Sequence, residues 1–319
     1  LKSGGEDTDQ IKRIKDDLGF ENQFARNHFQ LNTGLGSFVD IALKTRTFAT
    51  DWSWTVLLQD FDNNGSKDIF ITNGITKRPN DLDYINYLNS EAISKYAEND
   101  PERTRQLIGK LPAQKLKNIL FLQSDNLHFS EIANAQVGTP TFSNGAAYAD
   151  LDKDGYLEIV INNINDPATI LKYNTALGVQ SYLELALKDP AGKTTNGTKV
   201  YAYAGGEQLY QELQSVKGYQ SSSSHLLHFG LGKATKLDSL VVIWPDLTKQ
   251  VLLSVEINKL LEISKDQGAA KLVASTVGNL RKSFDVLPLQ HVENDFNDDE
   301  TEKLIPEKLS REGPAVLYE

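Results

Sequence analysis

The chain contains no cysteine and no methionine. Without cysteine it holds neither a disulfide nor a thiolate metal site, so rigidity has to come from packing or from ions held by oxygen. Methionine is missing even from the first position, which is leucine. We therefore expect a fragment of a longer protein, in which a missing leader carries no information. Long hydrophobic runs are absent too: nothing approaches the roughly 18 apolar residues that cross a bilayer as a helix, so no membrane span is expected in this fragment. Positive charge is scarce, with 33 Lys and Arg against 43 Asp and Glu and a formal charge of −10. That balance argues against nucleic acid as a partner, because phosphate binding is driven by clustered Lys and Arg. Only 39% of the residues are hydrophobic, which suits β-structure with many solvated strands. The length of 319 residues suggests about two domains.

What the chain does have is a repeated acidic loop. Asp60-Phe61-Asp62-Asn63-Asn64-Gly65-Ser66-Lys67-Asp68 returns as Asp150-Leu151-Asp152-Lys153-Asp154-Gly155-Tyr156-Leu157-Glu158. Oxygen side chains at the first, third, fifth and ninth positions converge when such a loop wraps round a centre. The glycine at the sixth permits the sharp turn, and the carbonyl of the seventh adds a further oxygen. These donors are hard, and a flexible cage of oxygens is what Ca²⁺ selects. Three carboxylates in the first loop and four in the second would repel one another without a cation. The expected ligands are Asp60, Asp62, Asn64 and Asp68 with the Ser66 carbonyl, and Asp150, Asp152, Asp154 and Glu158 with the Tyr156 carbonyl. About two Ca²⁺ ions are expected, the first loop binding more weakly because it carries one charge fewer.

The loops are not EF-hands. The bidentate Glu required at the twelfth position is replaced by Ile71 and Ile161. The flanks, Trp54 to Leu58 with Ile69 to Thr72 and Ala146 to Ala149 with Ile159 to Asn162, read as strands, so each loop is the tip of a β-hairpin. The repeat extends upstream. Arg26 to Leu31 aligns with Lys117 to Leu122, and Phe38 to Ala42 with Phe129 to Ala133, at one offset of 91. Four antiparallel strands per repeat is the make-up of a propeller blade. Between Pro79 and Lys117 the pattern changes. Leu82, Ile85, Leu88, Ala92, Ile93 and Tyr96 fall near helical spacing, Asn80 or Asp81 can cap the start, and Asp100-Pro101-Glu102 opens a second helix. From about Val179 to Asp266 alternating runs return, with Gly205-Gly206 as a hairpin turn.

At these residues the chain resembles the FG-GAP/VCBS class of calcium-binding propellers. Asn196-Gly197-Thr198-Lys199-Val200, Gly218-Tyr219-Gln220-Ser221-Ser222, His228-Phe229-Gly230-Leu231-Gly232 and Val242-Ile243-Trp244-Pro245-Asp246, in that order, resemble the ASPIC/UnbV domain. That family usually places glycine where Leu247 stands, which puts the turn after the tryptophan in doubt. Thr50 to Trp54, Asn80 to Tyr84, His291 to Phe296 and Lys308 to Ala315 look like Bacteroidetes-type versions of the repeat protein. The resemblance implies a mainly β fragment: propeller blades over 1–174 with a helical insertion at about 79–117, a small antiparallel β domain over 175–268, and a linker opening a further blade over 269–319. It implies export, to the cell surface, the outer membrane or the extracellular space, and it supplies no reaction.

At the histidines and tryptophans catalysis competes with packing as the explanation. His225 and His228 stand beside four serines, but no G-x-S-x-G elbow is present and no carboxylate orients either ring. One imidazole is expected inside and one outside. Trp52 and Trp54 would form a sugar platform if exposed; we expect core, and Trp244 more so. The acidic run Asp298-Asp299-Glu300 reads as a solvated loop. The sequence thus favours a non-catalytic calcium-binding protein presenting loops to glycans or to other surface proteins. A carbohydrate-active enzyme, or an accessory subunit of a polysaccharide-utilisation system, is the alternative. A purely architectural spacer is a third reading.

Overall fold

A computed structural model describes residues 9–20, 26–88, 100–125, 127–132, 137, 139–174, 180–266 and 270–271. The expectations for Ala92, Ile93 and Tyr96, for Asp298 to Glu300, and for nearly all of 269–319 lie outside these residues. Helix α1 (Asp9–Asp17) precedes a small hairpin of β1 (Gln30–Asn32) and β2 (Phe38–Asp40), then the single turn α2 (Ala42–Thr45). The Asn32 side chain accepts from Gly34 N at 2.9 Å, holding the turn where Asn-Thr-Gly predicts one.

Both acidic loops are hairpin tips. Strands β3 (Ser53–Gln59) and β4 (Asp68–Asn73) close at Gln59↔Asp68. After helices α3 (Leu82–Leu88) and α4 (Pro101–Lys110) come β5 (Ile119–Asp125) and β6 (His128–Glu131). The second hairpin, β7 (Ser143–Ala149) and β8 (Glu158–Asn163), closes at Ala149↔Glu158 and is followed by β9 (Thr169–Leu171). The two hairpins share even their irregularity. Pairing slips between Ser53 and Val56 in one and between Ser143 and Ala146 in the other. At each slip the serine donates to an asparagine across the ladder, Ser53 to Asn73 at 3.0 Å and Ser143 to Asn163 at 2.8 Å. A bulge of this kind bends and twists a hairpin at a fixed point.

The strand partners show how the repeats join. The first hairpin belongs to a four-stranded sheet ordered β3-β4-β5-β6, so its outer strands come from the start of the next repeat. Among the described residues β1 and β2 pair only with each other, and β7-β8-β9 form a sheet of three. Every residue of β4 is buried, as expected of a strand with neighbours on both sides and covered faces. Leu57, Phe61 and Phe70 of the first hairpin meet Ala146, Tyr148, Leu157, Ile159 and Ile161 of the second in one cluster. Each fully buried large side chain there contributes roughly 1.5–3 kcal/mol.

Two helices stand among the described residues of the expected insertion. Asp81 accepts from Asp83 N at 3.0 Å and Tyr84 N at 3.1 Å, and Asp100 accepts from Glu102 N at 2.8 Å ahead of Pro101. The buried side chain of α3 is Tyr84, while Leu82 of the expected stripe is exposed.

The remaining strands are β10 (Ser181–Lys188), β11 (Lys199–Ala204), β12 (Glu207–Glu212), β13 (Leu227–Gly232), β14 (Leu237–Ile243), β15 (Thr248–Val255), β16 (Leu260–Ser264) and β17 (Ala270–Lys271). They form two sheets, β13-β10-β16 and β12-β11-β14-β15-β17, with Leu183, Leu185, Val200, Phe229, Val242 and Trp244 packed between them. One pair departs from the all-antiparallel expectation: β10 and β16 run parallel from Glu184↔Leu260 to Lys188↔Ser264. A parallel pair needs a long connection, and here the intervening strands supply it. A tight turn forms after Trp244 despite the missing glycine. Leu247 takes a φ of 66° and donates its N–H to Trp244 O at 2.8 Å. Trp244 is core, whereas Trp52 and Trp54 are only half buried, and Trp54 leans on Tyr219 at 4.8 Å.

Candidate metal centre

The first loop turns because Asn63 adopts a φ of 61° and Gly65 one of 94°; Lys153 (62°) and Gly155 (87°) repeat this in the second. Three hydrogen bonds recur at equivalent positions. Phe61 N donates to Asp68 Oδ2 at 2.8 Å, and Leu151 N to Glu158 Oε2 at 2.7 Å. Gly65 N donates to Asp60 Oδ2 at 2.8 Å, and Gly155 N to Asp150 Oδ2 at 2.9 Å. Ser66 N donates to Asn64 Oδ1 at 2.7 Å, and Tyr156 N to Asp154 Oδ1 at 2.9 Å. In the first loop backbone N–H groups take both oxygens of Asp60 and of Asp68, since Asn64 N also donates to Asp60 Oδ1 at 3.1 Å and Gln123 N to Asp68 Oδ1 at 2.9 Å; in the second, Asp150 Oδ1 and Glu158 Oε1 are left without a hydrogen bond.

Six of the ten residues named from the sequence lie in two clusters. Oxygens of Asp60, Asp62 and Asp68 lie within 4.8 Å of one another, as do oxygens of Asp150, Asp152 and Asp154. Asn64 joins the first group through Nδ2, which donates to Asp62 Oδ2 at 3.1 Å. Glu158 borders the second group: its Oε1 is buried without a hydrogen-bond partner, and so is Asp150 Oδ1. Ser66 and Tyr156 enter through their N–H groups, and the Tyr156 ring, fully buried, stacks on Tyr173 at 5.0 Å.

Burial pushes the Asp60 carboxyl well above the usual carboxylate range, and the charge of Asp68 adds to it. Burial likewise raises Asp62, and burial with the Asp62 charge pushes Asp68 up to about 7. In the second loop burial raises Asp150 and Glu158. There a residue that sequence reasoning missed intervenes. The Lys172 ammonium bonds Asp152 Oδ2, lies 2.8 Å from Asp154 Oδ2 and 3.7 Å from Glu158 Oε1. It holds Asp152 below the usual range and is itself pushed up by those hydrogen bonds. Among the described residues the first loop has no counterpart. Phe121 pairs with Ile69 as Leu171 pairs with Ile159, so Leu122 stands where Lys172 does. Only the register of β9 on β8 could have revealed the lysine.

A hydrolase dyad does not form at the two histidines. His225 is exposed; His228 is buried and its Nε2 bonds Asn63 Oδ1 at 2.7 Å. The second residue missed by sequence reasoning is therefore Asn63, which also donates from Nδ2 to Gly155 O at 2.7 Å and so ties the two loops together.

Residues 190–270 match the family described as ASPIC and UnbV. The chain is 24% identical over 289 residues to cartilage acidic protein 1 of Mus musculus, covering 80% of this chain and 44% of that protein. The protein of the same name from Xenopus tropicalis is 25% identical over 287 residues, covering 80% and 43%. The Homo sapiens protein is 24% identical over 277 residues, covering 77% and 42%. The chain spans less than half the length of these curated relatives. Its β module is thus similar to the ASPIC and UnbV family, and most of the chain is distantly similar to cartilage acidic protein 1.

Proposed function

We propose that this chain is a non-catalytic, calcium-binding repeat protein of the cell surface or extracellular space, with the hairpin sheets serving as propeller blades. The observation that carries this reading is the recurrence of three backbone hydrogen bonds at equivalent positions of the two acidic loops, around clustered carboxylates. The donors fit the ion. All are oxygens, and buried Asp150 Oδ1 and Glu158 Oε1 have no hydrogen-bond partner. Asp60, Asp62, Asn64 and Asp68 with the Ser66 carbonyl would hold one ion, and Asp150, Asp152, Asp154 and Glu158 with the Tyr156 carbonyl the other. Bound Ca²⁺ would supply charge compensation rather than a reaction. Counting charges ranks the second loop as the tighter site. Lys172 favours the opposite order, because its ammonium already answers three of those carboxylates.

The division into 1–174, 175–268 and 269–319 belongs to the same proposal, as does the ligand class, glycans or other surface proteins met through the loops. The acidic name of the relatives, and cartilage as its first word, support an extracellular setting. Thermal unfolding in calcium, magnesium and EDTA, with calorimetric counting of ions, tests it. A ligand at a hundredfold excess over its Kd stabilises by about 2.7 kcal/mol per site, on the order of 4 °C for a chain of 319 residues. A calcium-specific rise and about two ions are expected; the same melting temperature in EDTA overturns the reading. On polysaccharide and surface-protein arrays, binding without turnover is expected, and turnover of a polysaccharide would favour the enzyme alternative.

A further inference from the structure

The strand β13, His228-Phe229-Gly230-Leu231-Gly232, does not only close the β module; it lies against the first acidic loop. Gly230 approaches so closely that a Cβ there would sit 2.0 Å from Asp60 Oδ2 and 2.5 Å from Asn63 Cα. Any side chain at 230 would displace the carboxylate. The backbone is joined as well. Gly232 N donates to Asn63 O at 2.8 Å, and Gln59 Nε2 donates to His228 O at 2.8 Å. Because Asn63 Nδ2 donates to Gly155 O, it is Oδ1 that faces His228, so the imidazole donates from Nε2. These bonds span Gln59 to Asn63, the half of the loop that contains Asp60 and Asp62.

The same module reaches the second loop. The Tyr182 ring of β10 lies over Gly155, where a Cβ would come within 2.1 Å of it, and stacks on His228 at 5.8 Å. The Gly218-Tyr219 segment also faces the hairpins. Tyr219 N donates to Thr55 Oγ1 at 3.0 Å, and a Cβ on Gly218 would meet Thr55 Cγ2 at 2.7 Å. Two motif segments of the module therefore do their packing on the hairpins.

We propose that β13 is the seat of the first metal loop: docking of the module on the hairpins and cation binding at Asp60 to Asp68 are one linked equilibrium. This rests on the calcium reading above. The physical basis is reciprocity. A strand that holds the loop in its ligating shape raises the affinity for the ion, and the ion must then hold the strand by the same factor.

Hydrogen exchange of the unmodified chain in calcium and in EDTA tests the link, beside calcium calorimetry of the wild type and of Gly230→Ala. Calcium is expected to slow exchange in both 60–68 and 227–232, and Gly230→Ala to weaken calcium binding at one of the two sites about tenfold, a coupling typical of residues in contact. If calcium slows 60–68 and leaves 227–232 unchanged, or if folded Gly230→Ala binds as the wild type does, the link is overturned and the calcium reading stands. If the wild type takes up no calcium, both fall. Should Gly230→Ala fail to fold, exchange in the unmodified chain decides.

Discussion

Leu247 sits in the left-handed region at φ 66° with its side chain 52% exposed. A residue with a Cβ spends about 1–2 kcal/mol in that conformation, and little packing is lost by removing this one. Gly at this position has a more flexible unfolded chain, which returns about 0.5–1 kcal/mol of the gain. Leu247→Gly is therefore expected to stabilise the protein by about 0.5–1 kcal/mol, read as a higher midpoint in urea; a lower midpoint would mean that the leucine packs more than its exposure indicates. At this scale the sequence was a good guide to the carboxylates, because their spacing is set within one loop. Lys172 and Asn63 were illegible for the opposite reason. Each acts across a distance in sequence: the lysine through the register of β9 on β8, and the asparagine through a module 165 residues away.

Taken as elements, the two loops are alike in backbone and unlike in charge. Lys172 offsets one of the second loop's four charges, whereas the first has no such ammonium among the described residues and buries Asp60 and Asp68. Lys172→Gln should tighten calcium at the second loop and lower stability in EDTA, since the variant loses the ammonium that stands among the carboxylates. Calorimetry on the variant checks the first effect and melting the second; unchanged calcium affinity would mean that the lysine never competes. The hairpins themselves were readable, because alternating β-branched and aromatic runs closed by Asp, Asn and Gly leave few other choices. Which strand lies beside which was less so. The sheet β3-β4-β5-β6 straddles the sequence repeat, and the parallel β10–β16 pair leaves no periodic mark.

For the molecule as a whole, stability and pH should be joined through the first loop. Asp68 is raised from 3.8 to about 7 by burial and by Asp62, so the folded state holds a proton that the unfolded state gives up. Between these values the native chain binds more protons, and stability without divalent ions falls as pH rises. In EDTA the melting temperature is expected to drop from about pH 5 to pH 8, while the gain from calcium grows, since the ion takes the ionised carboxylates. A calcium gain that is the same at both pH values would count against the loop as the site. The mainly β character of the chain was legible in advance. Its hairpins and module nonetheless fall in one compact unit, and the residues that join them, Gln59, Asn63, Tyr182, His228 and Gly230 among them, have roles that depend on what lies opposite.

Asn63 must wait for His228. The two are 165 residues apart, and a chain leaving the ribosome at roughly 5–20 residues per second separates their appearance by about 8–33 s. Throughout that interval the first hairpin is complete in sequence but not in structure, its inner face still without the strand that will cover it. Synthesis therefore delivers the acidic loop long before its seat, and the order of emergence makes the arrival of Gly232 the moment at which this part of the protein can first close.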